Sequence, residues 1–260
     1  MGNLTVWKEK TVTSVPTLPN FLPLYISTDH GPSQSDQPTP AELEYNYFAH
    51  FYHSERLFKK FKSISDKKCF VIKSPFVWYR KKRKISQSLN PKGTIVFPTH
   101  STHHISIEKN WNEYIEKLLN LPEKYKPISA CLYFLDVKSG LNKIFEDAGI
   151  ETFCAGTWTD KDFVDKFYEI IKNFKYASSA VPGSYLFYTV ELGLEFFIYG
   201  DEPIYINYSD KNAKKIGRYK LDHNNTQIER VSNLFKIDTS NSHIKQALVN
   251  EELGFCQESI

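Results

Sequence analysis

Three of the eight histidines fall within five residues, His100, His103 and His104, at the end of the apolar run 94–97 (TIVF). The hydroxyls of Thr99, Ser101 and Thr102 lie between them. Four readings of this loop stay open. Imidazoles and hydroxyls there can hold an anionic phosphate and meet charge growing on a leaving group. H-x-x-H-H together with Asp29 and His30 offers nitrogen and oxygen ligands to a metal, although the spacing is not a recognised zinc pattern. One histidine can serve as acid or base at neutral pH. The fourth is a hydrogen-bonded surface loop. A second stretch, residues 178–184 (SSAVPGS), places small hydroxyls and one glycine before a helical pattern, and Gly193 stands where that helix must end. Unsatisfied N–H groups and the positive dipole end make such a helix start an anion site. Ser178, Ser179 and Ser184 add donors, and Gly183 lets backbone approach a ligand. Serines there also serve simply as caps. Glu191, one to two turns into the helix, is either a ribose ligand beside phosphates held by the loop or a solvated face residue.

The elements that must carry these groups alternate. Residues 21–27 (FLPLYIS) read as a buried strand running into Asp29-His30-Gly31, a strand-end loop of the kind that carries ligand groups in open α/β sheets. Residues 48–52 and 69–73 are further strands, and between them Ser54 caps a helix over 55–62 with Leu57, Phe58 and Phe61 on one face. Residues 76–92 read as the hinge between two halves. From 93 to 200 the pattern is β-α-β-α-β-α-β-α-β, with a helix expected from Glu108 to Leu119, a strand over 128–135, and a helix capped by Asp160 that runs to Phe174. A strand over 204–208 and helices over 226–235 and 242–253 close the chain. The expected fold is therefore α/β with two small Rossmann-like halves, residues 1–85 on the acceptor side and 86–260 holding a doubly wound parallel sheet.

An apolar fraction of 41% supports a real core, and a net charge of +3 gives no case for nucleic acid. Sixteen tyrosines and nineteen phenylalanines against one methionine suit sugars or bases weakly. The four cysteines lack metal-site spacing and read as reduced. The first ten residues show neither a signal-peptide core nor a myristoylation pattern, so the expectation is a cytoplasmic protein. Residues 80–84 are five consecutive cations beside Trp78 and Tyr79, either a solvated linker or a patch for anionic lipid, donor or acceptor, which implies peripheral contact with the inner membrane face.

Residues 175–203 resemble the C-terminal domain of GT-B fold nucleotide-sugar transferases of surface polysaccharide synthesis. In that fold a Gly/Ser loop takes the diphosphate and a glutamate of the next helix takes the ribose. The Ser178-Ser179 pair resembles the paired-serine signature of sialyl-, Kdo- and CDP-glycerol-type transferases. Residues 94–104 occupy the place of the histidine motif, here in the order Pro98-Thr99-His100. Asp29-His30-Gly31 stands where the family has its acidic-Gly motif. The resemblance implies a metal-independent glycosyltransferase with no cofactor beyond its donor substrate, CMP- or CDP-linked, and a glycan or lipid-linked glycan acceptor. In it Thr99, Ser101, Ser178, Ser179, Gly183, Ser184 and Glu191 hold the donor, His100 and His103 stabilise the leaving phosphate, and Asp29 or His30 is the base. The rivals are a non-catalytic nucleotide- or glycan-binding protein and a metal-dependent hydrolase built on His100, His103 and His104.

Overall fold

The computed structural model describes residues 26–29, 31–33, 35–44, 46–157, 159–210, 216–221 and 226–255. The first half runs β1 (Ile26–Thr28), α1 (Pro40–Glu44), β2 (Ala49–Tyr52), α2 (Glu55–Lys62), β3 (Cys69–Val71) and α3 (Pro75–Lys82). Its three strands are parallel, in the order β1-β2-β3. Alternation puts His50 and Tyr52 on one face of β2, and Tyr52 packs there with Leu57 and Phe61 of α2 and with Cys69. The cap at Ser54 forms as its sequence suggests, with its Oγ accepting from the Leu57 N–H at 3.3 Å.

The second half runs β4 (Thr94–Val96), β5 (Ile105–Glu108), α4 (Trp111–Leu119), β6 (Ile128–Cys131), α5 (Phe134–Lys138), α6 (Leu141–Asp147), β7 (Glu151–Phe153), α7 (Phe163–Ile171), β8 (Tyr176–Ser179), α8 (Ser184–Leu192) and β9 (Glu195–Ile198). Then come β10 (Ile204–Asn207), β11 (Gly217–Tyr219), α9 (Thr226–Leu234) and α10 (Ser242–Glu252). Five parallel strands in the order β7-β6-β4-β8-β9 make a mixed α/β layer compatible with a Rossmann-like fold. Alternate residues of its central strands feed separate cores. Ile95, Ala177 and Phe196 pack with α3, α7, α8 and α10. Val96, Tyr176 and Phe197 pack with α4 and α6 on the other face.

Several local expectations change for non-local reasons. Residues 105–108 form a strand before α4, because they pair antiparallel with β10, which in turn pairs with β11. The strand over 128–135 stops at Cys131, and Phe134 already opens α5. Asp160 does not cap α7; its carboxylate accepts from the Thr157 N–H at 2.8 Å in the preceding turn, and the helix starts at Phe163. The hinge begins as helix α3, whose apolar first turn buries Phe76 and Val77 and stacks Phe76 on Tyr188 at 4.2 Å. Residues 1–25, with five of the seven residues of the first expected strand, lie outside the described residues.

Helix α8 is the axis of the molecule. Leu186, Phe187, Tyr188, Thr189, Val190 and Leu192 are all buried, the pattern of a helix covered on every side. Gly193 ends it with φ +118°, a left-handed position that a side chain would strain, and donates its N–H to the carbonyls of Thr189 and Val190. The C-terminal helix α10 returns to the first half, where the Glu252 carboxylate pairs with Arg56 at 3.1 Å.

Candidate functional site

Strands β4 and β8 are neighbours, but the chain leaves β4 toward β6 and leaves β8 toward β9. Their carboxyl-end loops therefore part, and this switch point is where open α/β sheets bind ligands. One lip is residues 97–104, and the other is residues 178–184 leading into α8. Ser178 is fully buried, and its Oγ has no hydrogen-bond partner among the described residues. An orphaned hydroxyl of this kind costs about 1–3 kcal/mol, which a bound acceptor would recover. Ser179 differs, since its Oγ donates to the Val181 carbonyl at 2.5 Å and holds the loop's shape. Gly183, just ahead of α8, gives no side-chain cap, and the Leu186 N–H turns back to the Gly183 carbonyl at 3.0 Å, so of the first turn only the N–H groups ahead of Leu186 are left to another partner. Gly183 has φ −151°, ordinary extended backbone. A Cβ there would lie 2.5 Å from the Tyr185 ring, which by itself gives glycine a packing reason at this position.

The first half supplies the facing wall. A Cβ on Gly31 would lie 2.8 Å from the Ser184 Cβ and 3.2 Å from the Tyr188 hydroxyl, so the loop after β1 rests directly on the first turn of α8. Asp29, two residues earlier, lies close enough to help raise the Tyr188 pKa, although burial is the larger cause. The structure thus brings Asp29, Gly31, Ser184 and Tyr188 together from residues more than 150 positions apart. His30 lies outside the described residues.

The histidine loop is splayed rather than convergent. His100 packs on Tyr133 with ring centroids 4.5 Å apart, and His103 lies near Phe134. His104 Nδ1 meets Ser209 Oγ at 2.8 Å. These three imidazoles form no metal-binding group among the described residues. His100 keeps solvent contact, but protein packed around it lowers its pKa and favours the neutral ring. Ser101 is used within the loop, its Oγ accepting from the Ile107 N–H at 3.3 Å. Its own N–H donates to Asp136, whose carboxyl burial pushes up to about 6. Thr99 is buried beside the Tyr205 hydroxyl.

Glu191 is not at the loop. Both its oxygens are taken by Arg80, at 2.6 Å from Nη2 and 2.8 Å from Nε, and its side chain is 5% exposed. Each Glu191 oxygen thus meets a guanidinium N–H of Arg80, a structural partner that the ribose reading did not foresee. The same pair withdraws Arg80 from the basic run and turns it into a strap between α3 and α8.

Sequence reasoning missed a group in the first half. Asp29, Glu42 and His50 each offer a ligand atom within 4.8 Å of the others. His50 Nε2 lies 3.6 Å from Asp29 Oδ1 and 3.9 Å from Glu42 Oε1. The signal was a histidine on the core face of an apolar strand, residues 48–52 (FAHFY), where a titratable ring needs a reason. Two clefts, one around Lys175 and Glu195 and one around Tyr125 and Lys236, open away from all these residues. Comparison with protein-family models and with curated proteins finds no match for this chain.

Proposed function

We propose that the chain transfers a sugar from a nucleotide-activated donor to a hydroxyl of a glycan acceptor, in a two-half arrangement of the GT-B kind. The observation that carries this reading is the seat of Gly31 on Ser184, which sets a carboxylate from one parallel sheet beside the uncapped start of α8 from the other. The donor's phosphates would sit at that helix start, with Ser184 and the orphaned Ser178 hydroxyl as added donors. The acceptor oxygen attacks the anomeric carbon as the bond from that carbon to the phosphate oxygen breaks. The acceptor proton passes to Asp29, and the nucleotide leaves with charge met by the α8 dipole. His100, on the neighbouring lip, acts as a neutral hydrogen-bond donor to that phosphate. The serine pair favours a cytidine nucleotide.

A thermal-shift series with CMP, CDP, UDP and GDP, followed by titration calorimetry, tests the donor side. The expected result is stabilisation by cytidine nucleotides, weakened in Ser184→Ala. Protein unaffected by any of the four would overturn the reading. Nucleotide binding without transfer to any glycan acceptor would leave a nucleotide-binding protein in its place.

A further inference from the structure

We propose that Asp29, Glu42 and His50 form a binding site for a divalent transition-metal cation of the zinc class, on the acceptor side of the crevice. The inference goes beyond the transferase reading and departs from the expectation of a metal-free protein. Its first support is how each carboxylate is held. Asp29 accepts the His53 N–H on Oδ2 at 3.1 Å, which leaves Oδ1 toward His50. Glu42 accepts the Thr39 N–H on Oε2 at 2.6 Å, while its own N–H donates to Thr39 Oγ1 at 3.3 Å, a reciprocal cap at the start of α1. Its Oε1 is likewise the oxygen nearer His50. One oxygen of each acid is thus pinned by backbone, and the other converges on one nitrogen, as in outer-shell anchoring of metal ligands.

The second support is independent. His50 is 3% exposed, and neither ring nitrogen has a hydrogen-bond partner among the described residues. A buried imidazole with both nitrogens unused is costly, and a cation on Nε2 would satisfy one of them. Its ring is held in place by Tyr52 at 4.2 Å and Phe61 at 5.9 Å. The spacing is close to what a cation needs. Tetrahedral zinc with bonds of about 2.0–2.1 Å sets its donors about 3.3 Å apart. The two contacts of His50 Nε2, at 3.6 and 3.9 Å, must therefore contract by about 0.3 and 0.6 Å to reach that spacing. One imidazole and two carboxylates suit zinc better than magnesium or calcium, which take all-oxygen sets. Three protein ligands leave the fourth position to water or substrate. Where the transferase reading also holds, the cation would acidify an acceptor hydroxyl bound there and ask less basicity of Asp29.

The test uses purified full-length protein stripped with chelator, with His103→Ala/His104→Ala as background to remove two adjacent exposed imidazoles. Zinc alone is titrated by calorimetry, and cobalt by its visible absorption. The expected result is one equivalent bound, a raised Tm, and affinity at least tenfold lower in Asp29→Asn and in Glu42→Gln. Both substitutions keep an oxygen for the backbone N–H, so folding is checked by circular dichroism rather than assumed lost. No binding in the parent, or binding unchanged in both variants, overturns the site. So does a His50 15N spectrum showing an imidazolium that zinc does not displace, because the cluster is then a buried ion pair. None of these readouts requires a nucleotide or an acceptor, so failure here is distinct from failure of the transferase reading.

Discussion

Single residues in the β8–α8 loop share a chemistry but not a task. Ser184 faces the first half and Ser178 has a spare hydroxyl, whereas Ser179 is engaged by the Val181 carbonyl. Ser184→Ala is therefore expected to weaken nucleotide binding by about 1–2 kcal/mol, the worth of one charge-assisted hydrogen bond, with little change in stability. Ser179→Ala should instead lower stability by about 1 kcal/mol. Calorimetry and urea unfolding on both variants separate the two effects, and equal nucleotide affinity in Ser184→Ala and the parent would remove Ser184 from the site. Asp136 makes a pH prediction. Its folded pKa is raised to about 6 by burial, above its ordinary 3.8. A raised group contributes stability that is fully present below the unfolded pKa and is lost as pH rises through the folded one. At pH 7.5 the buried carboxylate is thus a liability. Asp136→Asn should stabilise the protein by on the order of 2 kcal/mol there, and by little at pH 4. Urea midpoints at the two pH values measure it.

At the scale of elements, the Arg80–Glu191 pair decides how α3 lies on α8. Both side chains are largely buried, and the guanidinium grips the carboxylate through two nitrogens, while also donating to the Ile85 carbonyl at 2.7 Å. Removing one partner of a buried pair strands the other. Glu191→Gln is expected to cost about 3 kcal/mol in urea unfolding, and Arg80→Lys should not restore the parent's stability, because an ammonium cannot make the forked contact. Nucleotide affinity of folded Glu191→Gln should match the parent. A loss of tenfold or more without a stability change would return Glu191 to the ribose.

Across the whole molecule, the C-terminal helix and the basic segment link the halves and define an outer face. Arg56 is bound by Glu252, by Asp36 at 3.0 Å and by the carbonyls of Ser33 and Ser35, so α10 and the loop before α1 are tied to α2. On the outside, Lys82 lies over the Trp78 ring at 4.9 Å, with Lys81, Arg83 and Lys84 exposed nearby. No helix among the described residues is long and apolar enough to cross a membrane. Peripheral contact is the proposal this face supports, with each cation near an anionic surface worth about 1 kcal/mol. Co-sedimentation with phosphatidylglycerol vesicles should fall with added salt and be lost in Lys82→Glu/Arg83→Glu/Lys84→Glu. Retention by that variant at low salt would exclude the patch.

The sequence alone determined the order of the parallel strands' building blocks, because buried strands and amphipathic helices write their period locally. Residues 94–96, 128–131, 176–179 and 196–198 are apolar or small for most of a strand's length, and Gly193 marks a helix end by itself. It also located the uncapped serine loop. It did not determine which polar groups were already spent. Glu191 and Arg80 are 111 positions apart, and only packing made them partners. Strand β5 exists because β10 pairs with it from nearly a hundred residues away, which no local window contains. Asp29 follows β1, Glu42 lies in α1 and His50 in β2, and the convergence of their ligand atoms was decided by how these segments pack together. Local periodicity encodes burial, whereas the pairing of charged and hydrogen-bonding groups depends on which elements the fold sets side by side.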